Sequence, residues 1–107
     1  MTWMRSTCQV DDAVIPATIP FDVASLVSCG VITGVGSVVN SAKLEPGQDV
    51  AVIGAGGVGL NAIQGAKLAG ARRIVAVDMT EEKLADAKTF GATDGILASD
   101  ERPWATL

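Results

Sequence analysis

Histidine is missing from the 107 residues, lysine and arginine number 8 without forming a cluster, and cysteine occurs only twice. Each shortage excludes something. Without histidine the commonest metal ligand and general base is gone, and no general base can be named in this chain. A formal charge of −4 with no basic patch excludes a nucleic-acid surface, because phosphate backbones are held by localised positive charge. Cys8 and Cys29 make no pair motif and are expected to stay reduced, so a disulfide framework is excluded. Polar and charged residues are read as interrupting every hydrophobic segment before it reaches the roughly 20 residues that cross a bilayer. The opening "MTWMRSTCQVDDAV" has one arginine and then acids where a secretory signal needs an apolar core. A cytoplasmic protein without membrane contact is expected. Nearly half of all residues are hydrophobic, which suits a globular α/β domain.

Residues 1–20 mix β-branched residues with Pro16 and Pro20 and read as short extended pieces. Asp22 is a candidate N-cap for "VASLVSCG", a helical stretch that stops or kinks at Gly30 and resumes as "VITGVGSVVNSAKL". Gly34 and Gly36 each cost about 1 kcal/mol inside a helix relative to alanine, which points to close packing against a neighbouring backbone or ligand. "EPGQD" is a turn. "VAVIG" is apolar on both faces, the pattern of a parallel strand covered by helices on each side. A small-residue helix over 57–69 follows and ends at Gly70. "RRIVAVD" is a second buried strand. Thr80 then caps a third helix in which Leu84, Ala87 and Phe90 share a face, Gly91 closes it, and "TDGIL" begins a third strand. Strand, helix, strand, helix, strand predicts a parallel sheet with right-handed crossovers.

Gly54, Gly56 and Gly59 stand in G-x-G-x-x-G spacing where the first strand runs into its helix. In such a turn the first glycine permits the reversal, the second lets a pyrophosphate approach the backbone, and the third lets helix and strand pack closely. The free N–H groups and the positive end of the helix hold the phosphates. Gly57 and Val58 lie inside this turn. Asp78 ends the second strand about 20 residues after the last motif glycine, where a carboxylate accepts both hydroxyls of an adenosine ribose and repels a 2′-phosphate, favouring NAD over NADP. Lys83 either reaches the same ribose from the first turn of its helix or is a solvated surface charge.

From about Ile19 onward the chain resembles the zinc-dependent alcohol dehydrogenases of the medium-chain dehydrogenase/reductase superfamily. "SCGVITGVGSVVNSAKLEPGQDVAVIGAGGVGLNAIQGAKLAGARRIVAVD" and "EEKLADAKTFGATD" carry the resemblance, in the family's order and spacing. It implies a Rossmann-type parallel sheet with flanking helices and hydride transfer between NAD and an alcohol, an aldehyde or a hydroxymethyl-thiol adduct. It also implies that Cys29 is a ligand of a catalytic zinc, that Thr33 stands beside the nicotinamide, that Val58 packs behind its ring, and that Asp78 and Lys83 serve the ribose. The full-length enzyme would be a homo-oligomer.

Departures from the family accompany the likeness. A catalytic zinc keeps three protein ligands and an open position, and this chain offers one candidate and no histidine, so its zinc site is incomplete. Residues 1–21 resemble the trailing edge of a GroES-like catalytic domain, and residues 22–107 the first βαβαβ half of an NAD-binding domain. A fragment that is inactive by itself is therefore expected, with an unpaired apolar strand edge that recruits other chains. A non-catalytic nucleotide-binding module, a zinc-independent member of the superfamily and a methyltransferase-like or flavin-binding sheet remain as alternatives.

Overall fold

The computed structural model describes residues 15–98; the extended tail expected before residue 15, with Cys8, lies outside them. A helical rod, Phe21–Ser41, comes first. Within it α1 (Phe21–Leu26) and α2 (Ile32–Gly36) are joined and followed by wider π-helical turns at Val27–Val31 and Ser37–Ser41. The backbone does not leave the helix at Gly30, which is absorbed into the first wide turn. Pro20 occupies the N-cap and Asp22 falls in the first turn, where its carbonyl accepts the Ser25 hydroxyl at 2.8 Å. Pro20 fits there because its fixed φ suits a helix entrance and no donor is lost.

The rod corrects a second expectation. Between Val23 and Ala42 the interrupting residues are glycine, serine, threonine, cysteine and asparagine, none of them charged. The 21-residue rod, which contains an 18-residue stretch of mean hydropathy 1.7, is long and apolar enough to cross a bilayer by length and composition. Here it lies along another helix.

The chain leaves the rod at Lys43, with φ 51°, and turns at Pro46–Gly47 into β1 (Asp49–Ile53). Next come α3 (Gly57–Leu68), β2 (Arg73–Asp78), α4 (Glu81–Phe90) and β3 (Asp94–Leu97). Gly70 (φ 85°) and Gly91 (φ 128°) follow the two helices, as the sequence predicts. The strands are parallel in the order β1-β2-β3, with Val52 opposite Ala76 and Val77 opposite Ile96. Right-handed crossovers between successive neighbours put α3 and α4 on one face. Val52, Ile74 and Ala76 point to that face and pack with Ile63, Ala66 and Ala87 into the core. At the amino ends of the strands, Arg72 holds Asp49 with two hydrogen bonds at 2.9 and 2.6 Å, an exposed pair that leaves the carboxyl ends free for other chemistry.

The opposite face differs from the sequence reading. Ala51, Ile53, Val75, Val77 and Ile96 alternate onto it, and among the described residues no helix packs on it; Val75 and Ile96 are nonetheless buried, whereas Ala51 and Ile53 on β1 are exposed, Ile53 by 86%. "VAVIG" is apolar on both faces, but among the described residues only one is covered by helix, because the rod packs on α3 rather than across the sheet. Among the described strands β1 also lies at the edge.

Close packing of the rod is carried by Gly34. A Cβ there would lie 2.6 Å from the Asn61 Cβ and 2.7 Å from the Ala62 amide nitrogen, so the helices meet almost backbone to backbone. Gly36, expected to do the same, faces open space apart from the Asn40 side chain at 3.9 Å.

Candidate functional site

The carboxyl ends of β1 and β2 converge on the glycine turn. The Gly54 N–H donates to the Val77 carbonyl at 2.7 Å, adding one more rung to the ladder, and at φ 95° the chain then swings away from the sheet. That φ is strained for any residue with a Cβ. Gly59 answers a different demand: a Cβ there would run into the Gly54 carbonyl oxygen, with the Gly54 carbonyl carbon at 2.8 Å. Around Gly56 and Gly57, by contrast, the Cβ positions have nothing within 4 Å. The first α3 hydrogen bond runs from the Leu60 N–H to the Gly56 carbonyl at 2.8 Å. The N–H groups of Gly57, Val58 and Gly59 therefore open the helix without acceptors inside it, and no side chain caps them. Open backbone, free donors and the positive helix end together make a cradle for an anion.

Asp78 stands beside this cradle. Its Oδ2 accepts the Ala55 N–H at 2.7 Å, and its Oδ1 accepts the N–H groups of Met79 at 2.6 Å and Thr80 at 3.3 Å. These bonds, led by that from Ala55, hold the carboxyl below the usual carboxylate range against the cost of partial burial; the positive charge of Lys83, in the first turn of α4, adds to them. Thr80 is the N-cap of α4 as predicted, but its side chain makes no capping bond.

Cys29 and Thr33 lie on the rod, both exposed. Thr33 directly precedes Gly34, which is seated against the Val58 carbonyl, so the Thr33 backbone is delivered to the start of α3. Sequence reasoning missed Asn61. Its Nδ2 donates to the Gly57 carbonyl at 2.8 Å and lies 4.0 Å from where a Cβ on Gly30 would be, linking the glycine turn to the residue after Cys29. The available signal was one amide in an otherwise small and apolar half-helix, "GVGLNAI".

Residues 57–106 match the family described as zinc-binding dehydrogenase. Benzyl alcohol dehydrogenase from Acinetobacter calcoaceticus is 37% identical over 86% of this chain, with a TM-score of 0.80. A Burkholderia ambifaria alcohol dehydrogenase zinc-binding domain protein is 38% identical over 80% of it, with a TM-score of 0.75. The chain resembles the zinc-binding dehydrogenase family. Galactitol-1-phosphate dehydrogenase from Escherichia coli is similar at 35% identity over 79% of the chain, with a TM-score of 0.65. The chain spans between 23% and 25% of the length of these three proteins. Its parallel sheet and flanking helices are the Rossmann-type α/β arrangement of such dehydrogenases.

The family's two cofactors fit the described residues unequally. The turn suits a pyrophosphate, because a Cβ at Gly56 or Gly57 would occupy the space a phosphate needs. Zinc does not fit these residues: among them no three histidine, cysteine or acidic side chains come together, and the Cys29 thiol stands alone. One thiolate cannot fix zinc against water. The chain is therefore expected to retain no stoichiometric zinc after dialysis against a weak chelator, measured by atomic emission. One tightly held equivalent would contradict this.

Proposed function

We propose that this chain supplies the adenosine and pyrophosphate half of an NAD site in an oxidoreductase acting on an alcohol, an aldehyde or a hydroxymethyl-thiol adduct. The observation that carries the reading is the glycine turn: open backbone at Gly56 and Gly57, unpaired N–H groups opening α3, and the Asp78 carboxylate at the adjoining strand end. In this reading Gly54, Gly56, Gly57 and Gly59 shape the pyrophosphate cradle, Asp78 and Lys83 take the ribose, Thr33 stands beside the nicotinamide and Val58 behind it. NAD, when bound, exchanges a hydride with the substrate; the protein supplies position and electrostatics. Cys29 is proposed as one zinc ligand, with the others outside this sequence. We further propose that residues 1–21 belong with a catalytic domain and 22–107 with the nucleotide domain. The enzyme would be a cytoplasmic homo-oligomer that uses neither nucleic acid nor membrane. The seating of Gly34 on α3 supports a rod that packs on protein rather than lipid.

A second reading, a nucleotide holder with no catalysis of its own, is favoured by the absence of a metal-ligating cluster among the described residues. Titration calorimetry with NAD and NADP tests the nucleotide claim common to both. The chain is expected to prefer NAD, and Asp78→Ser is expected to narrow the ratio of the two affinities by about tenfold, the worth of a hydrogen bond to a charged group. An unchanged ratio removes Asp78 from the ribose. Alcohol turnover by the chain with NAD and added zinc would set aside the second reading.

A further inference from the structure

We infer that Asp78 is a positioning residue for the phosphate cradle, holding the glycine turn through the Ala55 amide, in addition to any contact with ribose. For its ligand-binding consequence this rests on the nucleotide reading above. The geometry behind it is independent of any ligand. Ala55 is 2% exposed, and a buried N–H must find an acceptor. The β1–β2 ladder cannot supply one: its last rung, the Gly54 N–H to the Val77 carbonyl, is already spent, and the φ of 95° at Gly54 carries the chain off the sheet. The Asp78 side chain reaches across instead, with Oδ2 2.7 Å from the Ala55 nitrogen. It thus takes the place of the missing backbone rung. Its other oxygen is tied to Met79 and Thr80, which open the approach to α4, so the carboxylate itself is held in place.

Removing the carboxylate leaves the Ala55 N–H without its partner, and the turn would relax toward whatever acceptor or water it can reach. Gly56, Gly57 and Val58 follow directly in the chain, so the loss reaches the donors that a pyrophosphate would use. Ribose and phosphate recognition are coupled through one side chain. A carboxylate oxygen has two lone pairs, so bracing the turn leaves acceptor capacity for a sugar hydroxyl.

The test uses the whole chain, the variants Asp78→Ala and Asp78→Asn, and two probes: ADP, and 2′,3′-dideoxy-ADP, which keeps the pyrophosphate but lacks both ribose hydroxyls. Asp78→Ala is expected to weaken dideoxy-ADP by roughly tenfold, while Asp78→Asn, whose amide oxygen can still accept the Ala55 N–H but whose NH2 then faces the Met79 and Thr80 donors, recovers part of it. If alanine weakens ADP and leaves dideoxy-ADP unchanged, Asp78 acts only on ribose and the brace is wrong. Amide hydrogen exchange of Ala55 by NMR, with no nucleotide present, decides the brace separately. In the unsubstituted chain this amide is expected to exchange at least tenfold more slowly than those of Gly57 and Val58. Equal rates overturn the inference even if alanine at 78 fails to fold. A protected Ala55 in a chain that binds neither probe would instead overturn the nucleotide reading and leave the brace standing.

Discussion

Alanine at Gly59 is expected to unfold the domain, whereas alanine at Gly56 is expected to leave it folded and unable to hold a dinucleotide. In most helices a glycine-to-alanine change is favourable by about 1 kcal/mol. At Gly59 that gain is overwhelmed, because the new Cβ would occupy the place of the Gly54 carbonyl oxygen. The obstacle is backbone, and Gly54 is itself fixed by its φ of 95° and its bond to Val77. Overpacking of this kind costs about 3 kcal/mol or more, a large part of a small domain's total stability. Gly56 presents the opposite case. Nothing lies within 4 Å of its Cβ position, so the variant should melt within a few degrees of the parent. The methyl group would fill space a phosphate needs, and NAD affinity should fall by tenfold or more. Urea unfolding followed by circular dichroism, paired with calorimetry, separates the two outcomes. Loss of stability at both positions would mean that the glycines serve packing alone.

A second large effect is expected at the crossing of the rod and α3. Gly34→Ala would push a methyl group against the Val58 carbonyl, the Asn61 Cβ and the Ala62 nitrogen, the latter two at 2.6 and 2.7 Å. Two of these are helix backbone and cannot yield by a rotamer change. Net destabilisation of about 2 kcal/mol or more is expected after the propensity gain. The loss should be accompanied by NMR shifts at Val58 and Asn61 as the rod lifts from the start of α3. Gly36, two residues on, is the internal control: with only the Asn40 side chain at 3.9 Å, alanine there should stabilise by up to about 1 kcal/mol. Equal effects at the two positions would contradict the packing described.

The contrast between Gly34 and Gly36 shows where sequence reasoning stops. Composition marks both as costly in a helix, but only the crossing geometry decides which one touches a neighbour. The glycine turn was legible because its requirements are local: a positive φ at Gly54 and a close approach at Gly59 follow from a strand entering a helix directly. Asp78 was legible by its place at the end of a strand, yet its bond to Ala55 was not, since the pairing depends on how β1 leaves the sheet. Coverage of β1 was misjudged for a similar reason. An apolar strand shows that both faces can be buried, not that an element lies over each, and Ile53 stands open. The continuity of the rod through Gly30 was hidden because a π-helical turn accommodates a glycine that reads locally as a stop. Asn61 escaped notice because an amide in the small, apolar first half of α3 gains meaning only beside the Gly57 carbonyl.

The central claim is that the turn from Gly54 to Gly59 holds a dinucleotide pyrophosphate. Titrating NAD into the isotopically labelled chain and following backbone amides by NMR tests it most directly. The account predicts saturable shifts of the Gly57, Val58 and Gly59 amides with one common affinity, accompanied by changes at Ala55 and Met79, which share the Asp78 carboxylate. Shifts confined to other parts of the chain, or none at millimolar NAD, would contradict it.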